Sequence, residues 1–187
     1  DQTAPVLEIT GVEDKSANNG KVAPIVSYSD TNFNKNNVSI KLNGANKGPV
    51  KLNGSLSDSS NGQVYTFKNF EKKKENDDIY TLTATIVDFA GNETSETITF
   101  SVNRYGSVYV FDDSLKNIEG KFVNKEIDVV VTETNVDSLM PETINVKMAK
   151  NGTPADLAKG TDYTVTKSGG NGKWSQYTYV IDKALFA

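Results

Sequence analysis

The chain has 187 residues, 20 Lys and Arg against 24 Asp and Glu, no His, no Cys and a hydrophobic fraction of 36%. Without His or Cys there is no Ser-His-Asp or Cys-His machinery, no disulfide scaffold and no ordinary zinc, copper, haem or iron–sulfur site, so any metal would be a hard cation held by oxygen. A net charge of −4 lacks the basic stripe of a nucleic-acid binder, and no apolar run approaches the roughly 20 residues of a spanning helix, so neither nucleic acid nor membrane insertion is expected.

Short runs of period-two alternation between polar turns predict β-strands throughout. Val6-Leu7-Glu8-Ile9 follows Pro5 and reads as an edge strand. Val22, Pro24, Val26 and Tyr28 alternate with Ala23, Ile25 and Ser27, and the proline, which has no N–H for a ladder, assigns the start of this strand to an edge or bulge. Val38, Ile40 and Leu42 alternate with Ser39, Lys41 and Asn43, and Val64-Tyr65-Thr66-Phe67 follows the turn pair Asn61-Gly62. Glu71–Asp78 reads as a solvated loop. Tyr80, Leu82, Ala84 and Ile86 then alternate with threonines, and Ile98, Phe100 and Val102 form the next strand. The turn between them, Asp88-Phe89-Ala90-Gly91-Asn92, contains Gly and Asn, which tolerate positive φ. Helix is expected at most as single turns near Val136–Met140 and Pro154–Ala158. Such a run of short strands suggests an antiparallel sandwich, in which Tyr80 is either a tyrosine corner or a plain core residue.

The second half repeats the first. Val26–Asn32 lines up with Val129–Asn135, Val38–Leu42 with Ile144–Met148, and Asn61-Gly62 before Tyr65-Thr66-Phe67 with Asn171-Gly172 before Tyr177-Thr178-Tyr179. One domain type is written twice, as residues 1–103 and 104–187. The expected fold class is all-β: two tandem immunoglobulin-like antiparallel β-sandwiches, the second lacking its final strands. No counterpart of Tyr80–Val87 and Thr97–Val102 precedes the last residue, Ala187. Those strands are central to one sheet of a sandwich, so the second domain is expected to have an open edge of unpaired N–H and C=O groups. The missing strands lie in a separate chain or a disordered or cleaved tail, or strand exchange with a neighbouring molecule supplies them.

Asp1-Gln2-Thr3-Ala4-Pro5, Tyr28-Ser29-Asp30-Thr31-Asn32-Phe33 and Tyr80 with Asp88-Phe89-Ala90-Gly91-Asn92 resemble the bacterial Ig-like domains strung along cell-surface and secreted proteins of Gram-positive bacteria. The resemblance covers residues 1–103, and 104–187 through the internal repeat. It implies a non-catalytic structural or spacer module, adhesin-like in setting, with neighbouring domains of its parent chain as first partners. The alternatives are a module that binds a glycan or host surface protein, and an accessory domain of a carbohydrate-active enzyme. The near-absence of arginine (Arg104 is the only one) and the abundance of Asn suggest an AT-rich bacterial genome, and a start at Asp1 without Met suggests excision from a longer precursor.

Four chemistries were weighed. In a sandwich of this kind Asp1, Asp30, Asn32, Asp88 and Asn92 converge at one end, where carboxylates and carbonyls can hold calcium, the one cofactor expected. The competing reading, favoured because no D-x-D-x-D-G loop is present, is that these residues cap their own turns. A glycan platform would draw on Trp174, Tyr177 and Tyr179, with Tyr163 nearby, and the competing reading places them in the core. A Lys–Asn isopeptide bond would need a buried neutral lysine, but Lys41 and Lys147 lie in outward phase, leaving Lys21 and Asn103. Asp77-Asp78 and Asp112-Asp113 read as turn residues, since adjacent carboxylates on a strand point apart.

Overall fold

The computed structural model describes residues 1–135, 143–169 and 174–187. The chain divides into two compact units, Asp1–Gly106 (unit 1) and Ser107–Ala187 (unit 2).

Unit 1 contains β1 (Val6–Thr10), β2 (Ser16–Asn18), β3 (Ile25–Ser29), β4 (Val38–Gly44), β5 (Gly48–Val50), β6 (Gly54–Ser59), β7 (Gly62–Phe67), β8 (Asp78–Val87) and β9 (Glu93–Val102). One sheet runs β1-β3-β7-β6 and the other β2-β9-β8-β4-β5. All pairs are antiparallel except β2 with β9. In immunoglobulin lettering the first sheet is A-B-E-D and the second contains C, F and G, so unit 1 is an immunoglobulin-like sandwich.

The alternation of β8 builds the core. Asp78, Tyr80, Leu82, Ala84 and Ile86 turn inward. Leu82 and Ile86 are fully buried, each worth about 2 kcal/mol in area removed from water. The intervening threonines bond outward across the ladder, Thr83 to Thr97 at 3.0 Å and Thr85 to Ser95 at 2.9 Å. Phe70, Tyr80 and Phe100 stack with centroids 4.9–5.7 Å apart. Pro24 precedes β3 and its carbonyl accepts from Phe67 N at 3.0 Å, so the strand starts after the proline. Tyr80 is a tyrosine corner: its hydroxyl donates to Asn76 O at 2.9 Å, closing the loop before β8.

Unit 2 contains β10 (Val108–Phe111), the short helix α1 (Asp113–Lys116), β11 (Val129–Asn135), β12 (Lys147–Lys150), β13 (Thr153–Asp156), β14 (Tyr163–Gly169) and β15 (Ser175–Ile181). Its sheet β10-β11-β15-β14 repeats the A-B-E-D order, and β12-β13 stands as a separate pair. Among the described residues nothing corresponds to β8 and β9. Tyr163, Tyr177 and Tyr179 form its buried core, with Ile144, Val146 and Leu157 packed on them. The helical turn expected at Pro154–Ala158 is instead strand β13 followed by extended chain. Asn151 and Gly152 both take positive φ, 53° and 81°, the condition for a tight hairpin turn, and this commits the following residues to the ladder with β12. Val136–Met140 and Asn171-Gly172 lie outside the described residues.

The ends of the four strands in the two sheets coincide when Val26 is matched with Val131. Glu133 then matches Tyr28, not Asp30 as the sequence alignment has it. A slip of two residues keeps every side chain on its face, which is why the period alone does not detect it.

Candidate functional site

All five residues expected to converge do so at one pole of unit 1. The carboxylates of Asp1, Asp30 and Asp88 lie within 4.8 Å of one another. The β3–β4 loop carries Asp30 and Asn32, the β8–β9 turn carries Asp88 and Asn92, and the segment before β1 brings Asp1 between them. Gly91, at φ 90°, permits that turn. Asp30 and Asp88 are buried, 8% and 2% exposed, while Asp1 is open to solvent.

Each carboxylate is already engaged by N–H groups. Asp88 accepts from Asn92 N and Asn92 Nδ2, both at 2.8 Å. Asp30 accepts from Asn32 N at 2.6 Å. Asp1 accepts from Thr3 N at 2.9 Å and from Asn32 Nδ2. Burial pushes the Asp88 carboxyl up, but the hydrogen bonds from Asn92 and from the Ala90 and Gly91 backbone outweigh it and hold the pKa below the ordinary aspartate value. The donor set is all oxygen and of the type calcium takes, yet both asparagines direct N–H groups, not carbonyls, at the acids. This is a capping network that ties three chain segments together.

The opposite pole is organised around Asp78, which is fully buried. The solvated loop expected from the sequence therefore ends one residue earlier. Asp78 accepts from Asn46 N at 3.0 Å, Lys47 N at 3.1 Å and Ile79 N at 2.8 Å, and is part of the first inward position of β8. A Cβ on Gly44 would overlap its carboxylate, so glycine is required there. Neighbouring Asp77 accepts from Arg104 Nε at 2.9 Å and from Arg104 N at 3.2 Å. Asp112 caps α1, accepting from Ser114 N at 2.8 Å, as a turn residue should. Lys21 and Lys41 are exposed, Lys147 pairs with Asp156 at 3.4 Å on the surface, and Asn103 accepts from Tyr105 N.

In unit 2, Tyr177 and Tyr179 are each 6% exposed and face inward, so they fill the core and do not form a surface platform. Trp174 is half-buried. Sequence reading gave Glu133 a place in a polar loop. It sits instead within β11, buried at 6% exposure, and accepts from Tyr179 Oη at 2.7 Å and Tyr109 Oη at 3.1 Å. Burial first, then Glu133, pushes both phenols above the usual tyrosine range.

No family model and no curated protein matches the chain. Among solved structures, the titin Ig tandem domains A164-A165 match at 12% identity and a TM-score of 0.34, covering 96% of this chain and 82% of that one. A chimeric titin Z1Z2 functionalized with a KLER exogenous peptide from decorin matches at 15% identity and a TM-score of 0.32, covering 95% of this chain and 81% of that one. The strand orders themselves define the class: a tandem of immunoglobulin-like β-sandwich units, the second with fewer strands.

Proposed function

We propose that the chain is a non-catalytic structural module of a bacterial cell-surface or secreted multidomain protein, adhesin-like in setting, in which unit 1 acts as a spacer. One observation carries the reading: unit 1 takes the chain in at one pole and releases it at the other. Thr3 is held beside the β8–β9 turn by Asn92 Nδ2, which donates to Thr3 O at 3.2 Å. At the far end of β9, Val102 pairs with Asp78, and Arg104 is fastened to Asp77. The ten residues of β9 separate the two ends by about 30 Å. A unit that receives and releases the chain at opposite ends adds its own length to a string of domains. The capping network at one pole and the Arg104–Asp77 pair at the other fix both attachment points, which a spacer requires and a catalyst does not.

The test uses the absence of native cysteine. Spin labels at Gln2→Cys and Tyr105→Cys should report one narrow distance of about 30 Å or more, unchanged by salt. Antibody against unit 1 should label intact source cells or their medium. A broad or short distance distribution, or a protein confined to the cytosol, overturns the proposal.

A further inference from the structure

The inward face of unit 2 is covered on one side only. Thr143–Lys147 crosses it, but between that segment and β10 a cleft of about 570 Å³ remains, floored by Val131, Tyr179 and Ile181 and walled by Tyr109 and Phe111. Tyr109 and Phe111 are 51% and 45% exposed. Their counterparts in unit 1, Leu7 and Ile9, pack against the core. The covering element there is the β8–β9 hairpin, which Thr94 Oγ1 fastens to Pro5 O at 2.7 Å and Glu96 fastens to Ile9 N at 3.1 Å.

The edge of β12 repeats the pattern. In unit 1, β4 pairs with β5 on one side and with β8 on the other. In unit 2, β12 pairs with β13 on one side, and among the described residues no strand pairs with its other side. The uncovered half is continuous with the packed tyrosine core, so one surface passes from filled to empty without a boundary.

We infer that unit 2 is a receptor for a β-hairpin: two antiparallel strands with alternating apolar residues seat over β10, β11 and β15 while the first of them hydrogen-bonds along the free edge of β12. The two features select this occupant together. A row of backbone N–H and C=O groups is satisfied only by another extended backbone, which excludes lipid and small apolar ligands. The apolar floor needs side chains at every second position, as β8 and β9 supply in unit 1. Glu133 already accepts two phenolic hydrogens, so the floor asks for no cation. This inference concerns unit 2 and does not rest on the spacer reading of unit 1.

The experiment titrates the full chain with a synthetic peptide of residues 78–102, and with a scrambled peptide of the same composition that lacks the alternation. Amide exchange at β12 and β10 should slow at least tenfold with the first peptide, and the scramble should bind at least tenfold more weakly. Phe111→Asp should weaken binding at least tenfold. Because Phe111 is half-exposed, the variant should keep the Trp174 emission of the parent, and Phe111→Ser provides a second, milder readout. The inference is overturned by equal binding of the two peptides, by binding of neither, by protection confined to unit 1, or by a reversible dimer that protects the same amides without peptide.

Discussion

Units 1 and 2 are built on the same four-stranded sheet and differ in what lies on it. In unit 1 the β8–β9 hairpin lies over β1, and Leu7 and Ile9 join the core. In unit 2 the matching Tyr109 and Phe111 stand half in solvent. The sheet order is therefore set by strand alternation and turns, which both units have, while burial is set by the second layer, which one unit has in full. Unit 2 offsets part of the loss with large tyrosines on β15 and with the Glu133 hydrogen bonds, where unit 1 uses smaller aliphatic residues on β8.

The most severe way to break the contrast is to remove the second layer of unit 1 from within. Phe100 is fully buried against Tyr80 and Phe70. Phe100→Ala should cost about 4 kcal/mol, seen as an acceleration of amide exchange in β8 by about a thousandfold. A loss under about 1 kcal/mol would mean that β9 is not the element closing the core. The matched pair Ile9 and Phe111 gives the finer measure. Ile9→Ala should cost about 2 kcal/mol, and Phe111→Ala less than about 1 kcal/mol although the side chain removed is larger. Equal costs would show that β10 is covered in solution.

Most of this architecture was legible in the sequence because alternation and turn chemistry are local. Tyr80, the Asn61-Gly62 turn and the 88–92 turn stand where the pattern puts them, and the convergence of Asp1, Asp30 and Asp88 follows from the sandwich topology. The short strands β2, β5 and β13 were not legible, since three or four residues carry no period. Nor was the burial of Asp78, because an acid after a charged loop looks solvated. It is held by backbone N–H groups from a loop some thirty positions away, and only Gly44, which leaves room for it, hints at the contact. Glu133 was misplaced for a related reason: a two-residue slip between repeats preserves the period and moves a loop residue into a strand.

Alkaline titration separates the polar parts of the two cores. Burial and Glu133 raise the Tyr179 pKa, so the folded unit 2 holds the phenolic proton more tightly than the unfolded chain. Its contribution to stability is complete below the ordinary tyrosine pKa of about 10 and is lost as pH rises beyond it. Tyr179→Phe should cost about 1–2 kcal/mol at neutral pH, through the donor withdrawn from buried Glu133, and should reduce the alkaline loss. Trp174, the only tryptophan, reports this transition. A pH dependence unchanged by the substitution would assign it elsewhere.

The smallest expected effect is at the acidic pole of unit 1. If Asp1, Asp30 and Asp88 are a hydrogen-bonded cap, calcium gains little by entering, because it must displace N–H donors that already satisfy the oxygens. A cation at ten times its Kd would stabilise unit 1 by about 1.4 kcal/mol, several degrees in melting temperature for a domain of this size. The capping arrangement instead predicts a melting temperature of unit 1 that is flat in millimolar calcium. It also predicts a loss of stability as pH falls through the lowered Asp88 pKa, because a carboxylate held charged in the folded state must then be protonated. A calcium-dependent rise abolished by Asp88→Asn would turn the cap into a metal site, and would give unit 1 a ligand-sensitive pole that nothing at the matching end of unit 2 reproduces, since Glu133 lies inside its strand.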